Sequence, residues 1–411
     1  MTKTRVVMIS AVLPHEGIPH AGGRYLADLV RLVDPATDLL VVVPNNPTTR
    51  AAKTRTGTPS RVVVPGATRS STVLGRAGSR VAAVLDRSFR RVDPGLPSLP
   101  LALDLLRDPS LRRAIRAAEV IDLQWSESIR LLPVIRWLNP RARVVGTYHD
   151  VQSQLFSRES GTTRRGRLYW RVVSRRARTI ERRHVRRLDR VLVFSDKDAD
   201  LLGSPHNAMV ARPPLALGLP PITREESREP IVVFVSHLAR PENDDAARWL
   251  VGSIWPAVRA AHPNARLRLV GAGASPELTQ LVADDPSITA DGFVDDLATV
   301  YATAQVCVVP LRFGAGVKFK TVEALLQEVP VVATAVGAEG IGSPHHFAAL
   351  SDDPTDLAAG LIDVLQSPNR SVGRSRDAAR WARENYDWPS FTARISEAYG
   401  LALRASGDEL G

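Results

Sequence analysis

Short apolar runs alternate with stretches of helical periodicity along the whole of this chain, and that alternation restricts it to parallel α/β architecture. The sequence predicts strands in its first half at 6–13, 39–43, 61–64, 120–123, 144–147 and 191–194, with helical patterns between most of them. From Arg212 to Pro230 the run RPPLALGLPPITREESREP is proline-rich and aperiodic, which reads as a linker. The alternation then restarts, with strands predicted at 231–235, 267–270, 306–309 and 329–333 and helices beginning near Asp244, Pro276, Asp295 and Val317. The expected organisation is therefore a Rossmann-like domain over 1–211, a linker over 212–230 and a second Rossmann-like domain over 231–388. A last helix within 389–411, near 390–403, could pack back on the first domain. Two doubly wound sheets of this kind take a ligand at the carboxyl ends of their strands, in a cleft between the domains.

Length agrees, since 411 residues suffice for two cores of ordinary size. With 44% hydrophobic and 24% charged residues the chain reads as globular. Its single cysteine, Cys307, excludes a disulfide framework and sits inside an apolar run, as a small buried hydrophobe would. The N-terminus MTKTRVVMISAVLP lacks a signal-peptide pattern and reads as a first strand, so a cytoplasmic protein is expected. No run approaches the length that spans a bilayer.

The stretch 311–340, LRFGAGVKFKTVEALLQEVPVVATAVGAEG, carries the most chemistry. A glycine-rich turn follows an apolar strand and leads into a helix expected over about 317–327. Gly314 and Gly316 let backbone amides face a ligand, and the helix points its partly positive end at the same place, which is an anion-binding layout. The chain uses arginine almost everywhere, yet of its five lysines two, Lys318 and Lys320, stand in this turn. Compact point charges suit phosphate. One turn on, Glu323 offers a carboxylate able to accept both hydroxyls of a ribose. The alternative is a solvated loop with surface lysines.

In the first half, HEGIPHAGGRYLADLV places Gly22 and Gly23 at a helix start, where they either approach a phosphate or form a plain turn. Strand 144–147 ends in Tyr148, His149 and Asp150, which puts a histidine where ligands are expected; the competing reading is a histidine that satisfies local backbone groups. Rival motifs fail. There is no GxxxxGK[ST] loop, and GAGAS at Gly271 is too short for a dinucleotide fingerprint. Asp196, Asp198 and Asp200 imitate a metal motif, but Leu201 and Asn207 stand where a calcium loop needs glycine and glutamate. Ser195 as an N-cap, with Asp198 three residues on, is the more economical account. His345 and His346 lack ligand spacing and are expected at the surface. No metal site is expected.

The net charge of +11 is concentrated. Twelve arginines lie between Arg164 and Arg190, against Glu181 and Asp189 alone, and Leu168, Tyr169, Val172, Val173, Ile180, Val185 and Leu188 recur at helical spacing. This is a basic amphipathic helix, suited to an anionic membrane surface or, equally, to an arginine-rich solvated face on a docking helix. Nucleic acid is disfavoured because no recognised binding motif accompanies the charge.

Taken together, the glycine turn, Glu323, PVVATAVGAEGI, SHLARPENDDAARWL, LRLVGAG, ITADGFVDDLATVYATAQVCVVPLRFGAGVKFK and YDWPSF resemble the retaining glycosyltransferases of the GT-B fold, glycosyl transferase group 1, in a GAGxKxK form. The resemblance covers roughly 231–399 and is looser before that. It implies two Rossmann-like domains, and transfer of a sugar from a UDP- or GDP-linked donor to a hydroxyl acceptor with retention. The acceptor would be a glycan or lipid-linked molecule in cell-envelope, glycolipid or polysaccharide synthesis. By the same resemblance Glu323 holds the ribose, His149 faces the donor sugar, Gly22 and Gly23 approach the diphosphate, and Gly314 and Gly316 meet sugar hydroxyls and phosphate. The nucleotide sugar is a co-substrate, and neither cofactor nor metal is implied, because positioned amides, a helix terminus and Lys318 and Lys320 can stabilise the departing diphosphate. Two departures stand out. Ala315 occupies the place of the family's first glutamate, and Arg240 is displaced by three from the usual arginine, near which His237 stands. They motivate two alternatives: a nucleotide-sugar-binding protein without transfer activity, and a nucleotide-sugar epimerase of the same fold.

Overall fold

The computed structural model describes residues 3–18, 21–65, 84–86, 88–159, 164–216, 219, 222 and 230–404. Most of the segment read as a linker falls outside them. The chain divides into two compact units, Met1–Pro213 with Pro389–Gly411, and Pro214–Trp388.

In the first unit seven strands form one sheet: β1 Arg5–Ile9, β2 Asp38–Val42, β3 Val62–Val63, β4 Val120–Gln124, β5 Arg143–Tyr148, β6 Arg190–Val193 and β7 Ala208–Val210. Their order is β3-β2-β1-β4-β5-β6-β7, and every pairing is parallel. Parallel strands are covered on both faces, which is why β1, β4 and β5 are buried almost end to end and read as continuous apolar runs. The sheet is doubly wound, since the chain moves outward from β1 in one direction and from β4 in the other. Beside it, the helix Trp388–Tyr399 fixes its last turn by Arg143, whose guanidinium donates to the carbonyls of Ala398 at 2.7 Å and Glu397 at 2.9 Å.

The second unit repeats the design with β8 Ile231–Val235, β9 Arg266–Val270, β10 Ile288–Gly292, β11 Val306–Val309, β12 Val331–Ala333 and β13 Ala349–Leu350. The order is β10-β9-β8-β11-β12-β13, again parallel throughout. The α/β, doubly wound expectation holds for both units. Strands β7, β10 and β13 were not anticipated: all three lie at sheet edges, β7 and β13 are short, and β10, ITADG, has one buried residue.

Smaller departures have local causes. The helix expected from Val317 begins at Phe319, because Gly314 and Gly316 adopt left-handed φ of +118° and +72° and Lys318 remains extended as the N-cap. His346, expected at the surface, is buried: its ring packs 5.2 Å from Trp381, and Nδ1 accepts from the Ser343 amide at 3.2 Å. Ser195 caps the helix Asp196–Leu201, and Asp198 and Asp196 pair with Lys197 and Arg212, so the acidic triplet is a capped helix start. Cys307 is buried, and burial pushes its thiol up to about 12.

Candidate functional site

Each sheet has a switch point where successive connections depart in opposite directions, and loops at the carboxyl ends there diverge to leave a ligand-sized crevice. In the second unit it lies between β8 and β11, and the residues after those strands are 236–240 and 310–318. Glycines allow these loops to approach their neighbours. Gly271, at φ +137°, lies so close to the loop after β8 that a Cβ would fall 1.7 Å from the Ser236 carbonyl oxygen. Gly337 after β12 would place one 2.2 Å from the Val309 carbonyl oxygen.

The two lysines of the glycine turn differ in their surroundings. Lys318 folds back on its own loop, donating to the carbonyls of Gly316 at 2.6 Å and Ala315 at 3.1 Å, with Glu339 3.8 Å away. Trans peptide geometry directs a carbonyl and the following amide oppositely, so the N–H groups of Gly316 and Val317 point away from this ammonium. Lys318 thus shapes the backbone cradle from behind. Lys320 instead reaches across to the loop after β8, donating to Ser236 Oγ at 2.6 Å and Asn243 Oδ1 at 2.7 Å, with its ammonium 5.1 Å from the Phe234 ring centre. Asn243 is itself oriented, because its amide nitrogen donates to the His237 carbonyl at 2.8 Å. Burial, reinforced by the charges of Lys318 and Arg240 and opposed by Glu242, brings Lys320 down to about 7. An anion arriving there would find a group ready to take up a proton.

Glu323 is buried, 4% exposed, one turn along the helix Phe319–Leu326 on the side of Lys320. Both act electrostatically on the Cys307 thiol, lysine lowering and glutamate raising its pKa. Ala315 is half-buried in the turn. Arg240 caps the start of the helix Pro241–Trp249, remains more than half exposed and pairs with Glu242 at 2.7 Å. The structure therefore gathers Arg240, Gly314, Ala315, Gly316, Lys318, Lys320 and Glu323 around one switch point. The sequence reading missed Ser236 and Asn243, although Asn243 stands within PENDD, part of the stretch that carried the resemblance.

The first unit has its switch point between β1 and β4, and the candidate residues Gly22, Gly23 and His149 gather beside it. Gly22 lies in the first turn of the helix Ala21–Val33, with buried Gly23 beside it. A Cβ at Gly22 would meet Trp125 Cζ2 at 2.8 Å and His149 Nδ1 at 2.9 Å, so this close approach requires glycine. Trp125 follows β4 at φ +67°, a left-handed backbone rare for a bulky residue, and its ring stacks on His149 with centroids 3.9 Å apart. Tyr25 and Phe194 complete an aromatic surround at 5.2 and 5.1 Å.

A buried polar chain sets the His149 tautomer. Tyr399 donates its hydroxyl to Asp122 Oδ2 at 2.7 Å, and the Gln124 amide nitrogen donates to the same oxygen at 2.7 Å and to Thr147 Oγ1 at 3.1 Å. The Gln124 carbonyl oxygen is left facing His149 Nε2 at 2.9 Å, so Nε2 carries the proton and Nδ1, turned toward Gly22, presents a lone pair. Burial raises Asp122 to about 6, opposed by the hydrogen bonds from Gln124 and Tyr399. Asp122, Gln124, Trp125 and Tyr399 were not anticipated. A charged residue inside an otherwise apolar parallel strand, VIDLQ, was the available signal.

With this geometry established, comparison with known proteins identifies related chains. Residues 229–367 match the family model described as Glycosyl transferases group 1. An uncharacterized 44.6 kDa protein in the cps region of Klebsiella pneumoniae is 26% identical over 164 residues, which cover 38% of this chain and 42% of that protein, less than half of its length. Among solved structures, HepE of Anabaena in complex with UDP superposes with a TM-score of 0.66 at 14% identity, over 97% of this chain and all of that one. Sucrose-phosphate synthase from Thermosynechococcus elongatus gives 0.66 at 18%, covering 97% and 98%. Residues 229–367, inside the second unit, are thus similar to the glycosyl transferases group 1 model, and the chain as a whole shares the GT-B fold of two Rossmann-like units with these solved structures.

Proposed function

We propose that this protein is a retaining glycosyltransferase that takes a sugar from a UDP- or GDP-linked donor and passes it to a hydroxyl acceptor of a cell-envelope glycan, glycolipid or polysaccharide. The observation that carries the reading is the half-buried ammonium of Lys320, held by Ser236 and Asn243 beside a glycine turn whose amides face away from Lys318. Two neutral acceptors leave most of the charge of such an ammonium unmet, and an anion would supply the rest. A diphosphate seated on the amides of Gly316 and Val317 would draw Lys320 to its charged form, while Glu323 accepts the ribose hydroxyls and Arg240 closes on the phosphates from the rim.

The chemistry follows from where charge develops. Cleavage of the glycosyl–phosphate bond moves an electron pair onto the diphosphate, and amides and ammonium groups fixed in advance stabilise that charge without reorganising. The departing phosphate oxygen takes the proton of the acceptor hydroxyl, which attacks from the same face, so configuration is retained and no side-chain base is required. His149, held at the carboxyl end of β5 by Gln124 and stacked on Trp125, is the residue that would face the donor sugar. HepE was solved with UDP and with UDP and glucose, which favours a uridine donor, and the Klebsiella relative's place in a cps region favours a polysaccharide product.

The test is a screen of UDP- and GDP-sugars by thermal shift, followed by turnover with envelope glycan acceptors and assignment of the product anomer by NMR. Transfer with retention that is lost in Glu323→Ala and Lys320→Met supports the reading; full activity in both variants overturns it. A second reading rests on Ala315: a protein that binds the donor but, lacking the usual carboxylate at that place, does not transfer. Donor binding with no turnover of any donor would favour it.

A further inference from the structure

We propose that the exposed face of the helix Arg164–Val185 docks on an anionic phospholipid surface, its arginines on lipid phosphates and its apolar end in the bilayer interface. At 22 residues the helix is about 33 Å long. Val173, Ala177 and Val185 bury one side against the unit, which leaves the opposite side open. Sequence patterning alone would assign all its apolar residues to the buried side. The structure instead leaves Leu168 and Val172 exposed at 59% and 57%. At 3.6 residues per turn they share a face with Arg171, Arg175 and Arg182, all exposed, and Arg186 is exposed just past the helix end.

Three observations favour a lipid surface. First, among the described residues Arg171, Arg175, Arg178, Arg182, Arg183 and Arg186 form no ion pair with a carboxylate, whereas Arg176, at the flank, reaches Asp93 at 3.7 Å. The positive face is therefore uncompensated rather than knitted into a surface network. Second, Thr179, Arg182, Arg183, Arg186 and Arg187 line an open surface hollow near the carboxyl end of the helix, which gathers four guanidinium groups of the kind that pair with phosphate. Third, apolar side chains on the same face gain by entering an acyl boundary but gain nothing against a nucleic-acid backbone. At the opposite, carboxyl end of the helix Trp137, 67% exposed, stands next to Arg136, which donates to the Arg187 carbonyl at 3.0 Å, so an indole is available near the arginine hollow. Among the described residues no helix is long and apolar enough to cross a membrane, so attachment of this kind is peripheral.

The experiment is co-sedimentation of the full chain with vesicles of phosphatidylcholine alone and of phosphatidylcholine mixed with phosphatidylglycerol, at low and high salt. Wild type should bind the acidic vesicles, release as salt rises and ignore the neutral ones. Each arginine near an anionic surface is worth about a factor of five, so Arg178→Ala/Arg182→Ala/Arg186→Ala should weaken partitioning on the order of a hundredfold. Leu168→Ser/Val172→Ser should weaken it while leaving the salt dependence unchanged. All these side chains are exposed, and matched thermal melts and unchanged nucleotide binding of the variants would show that fold and donor site are intact. Binding unaffected by added inorganic phosphate at constant ionic strength supports a lipid surface; displacement by phosphate alone overturns it in favour of a free-anion site. Equal binding to neutral vesicles, no binding to acidic ones, or tighter binding to duplex nucleic acid at matched salt would also overturn it. None of these outcomes depends on turnover, so this proposal and the glycosyltransferase reading fail separately.

Discussion

Replacing Lys320 by methionine should make the protein more stable and a poorer binder of nucleotides at once. The lysine is brought from its ordinary 10.5 to about 7 by burial and by the neighbouring charges of Lys318 and Arg240. A base whose folded value is depressed opposes folding wherever it must be charged. The cost is complete at low pH and fades as pH rises from about 7 toward 10.5, where the lysine of the unfolded chain also loses its proton. At neutrality a shift of this size corresponds to about 4 kcal/mol as an upper bound, since Lys320 keeps partial contact with solvent. Methionine removes that cost and fills similar volume, but leaves Ser236 and Asn243 without their donor, at about 1 kcal/mol each. The net expectation is a gain of about 1–2 kcal/mol near pH 7 that shrinks as pH rises and turns into a loss of about 1 kcal/mol by pH 10. The same change should weaken nucleoside diphosphate binding about ten- to hundredfold, the worth of one charge-assisted hydrogen bond. Urea titrations at several pH values and calorimetry with UDP or GDP measure both. A variant that binds nucleotide undiminished, or whose stability difference from wild type does not change with pH, would refute the reasoning.

Further outcomes follow from other positions. Gly22→Ala would drive a methyl to within 2.9 Å of both Trp125 Cζ2 and His149 Nδ1, so kcat should fall at least about tenfold while nucleotide affinity, read by calorimetry, changes little. Gly271→Ala would set a Cβ 1.7 Å from the Ser236 carbonyl oxygen at a left-handed φ; a loss of about 3 kcal/mol in urea unfolding is expected, with nucleotide binding damaged as the loop after β8 moves. Asp122, raised from 3.8 to about 6, opposes folding above that range, and this cost is relieved as pH falls through about 6 toward 4. The stability of Asp122→Asn relative to wild type should therefore decline by about 2 kcal/mol between pH 7 and pH 4, and a pH-independent difference would remove Asp122 as an ionised buried group.

The doubly wound plan was legible because strands buried on both faces must be written in apolar residues, and β1, β4, β5, β8 and β11 are. The strands β7, β10 and β13, at sheet edges, carry too few such residues to be read. The candidate residues were legible as neighbours around two switch points but not as a division of labour. Lys318 and Lys320 flank Phe319 symmetrically in sequence; only the late helix start, set by two left-handed glycines, turns one onto the loop carbonyls and the other across to Asn243. The network behind His149 was beyond local reasoning, because Tyr399 meets Asp122 across 277 positions of sequence. Trp125 strains its backbone to stack on that histidine, and no composition rule foretells a tryptophan at φ +67°.

The claim on which the account rests is that Lys320 meets the donor's diphosphate. Calorimetry of a UDP- or GDP-sugar, whose diphosphate diester has no proton to exchange near neutrality, tests it when run in two buffers of different ionisation enthalpy. Binding should draw in about half a proton near pH 7 and close to one near pH 8, because a lysine poised at about 7 becomes fully charged beside the diphosphate. Tight binding of the nucleotide sugar with no proton taken up at either pH would contradict it.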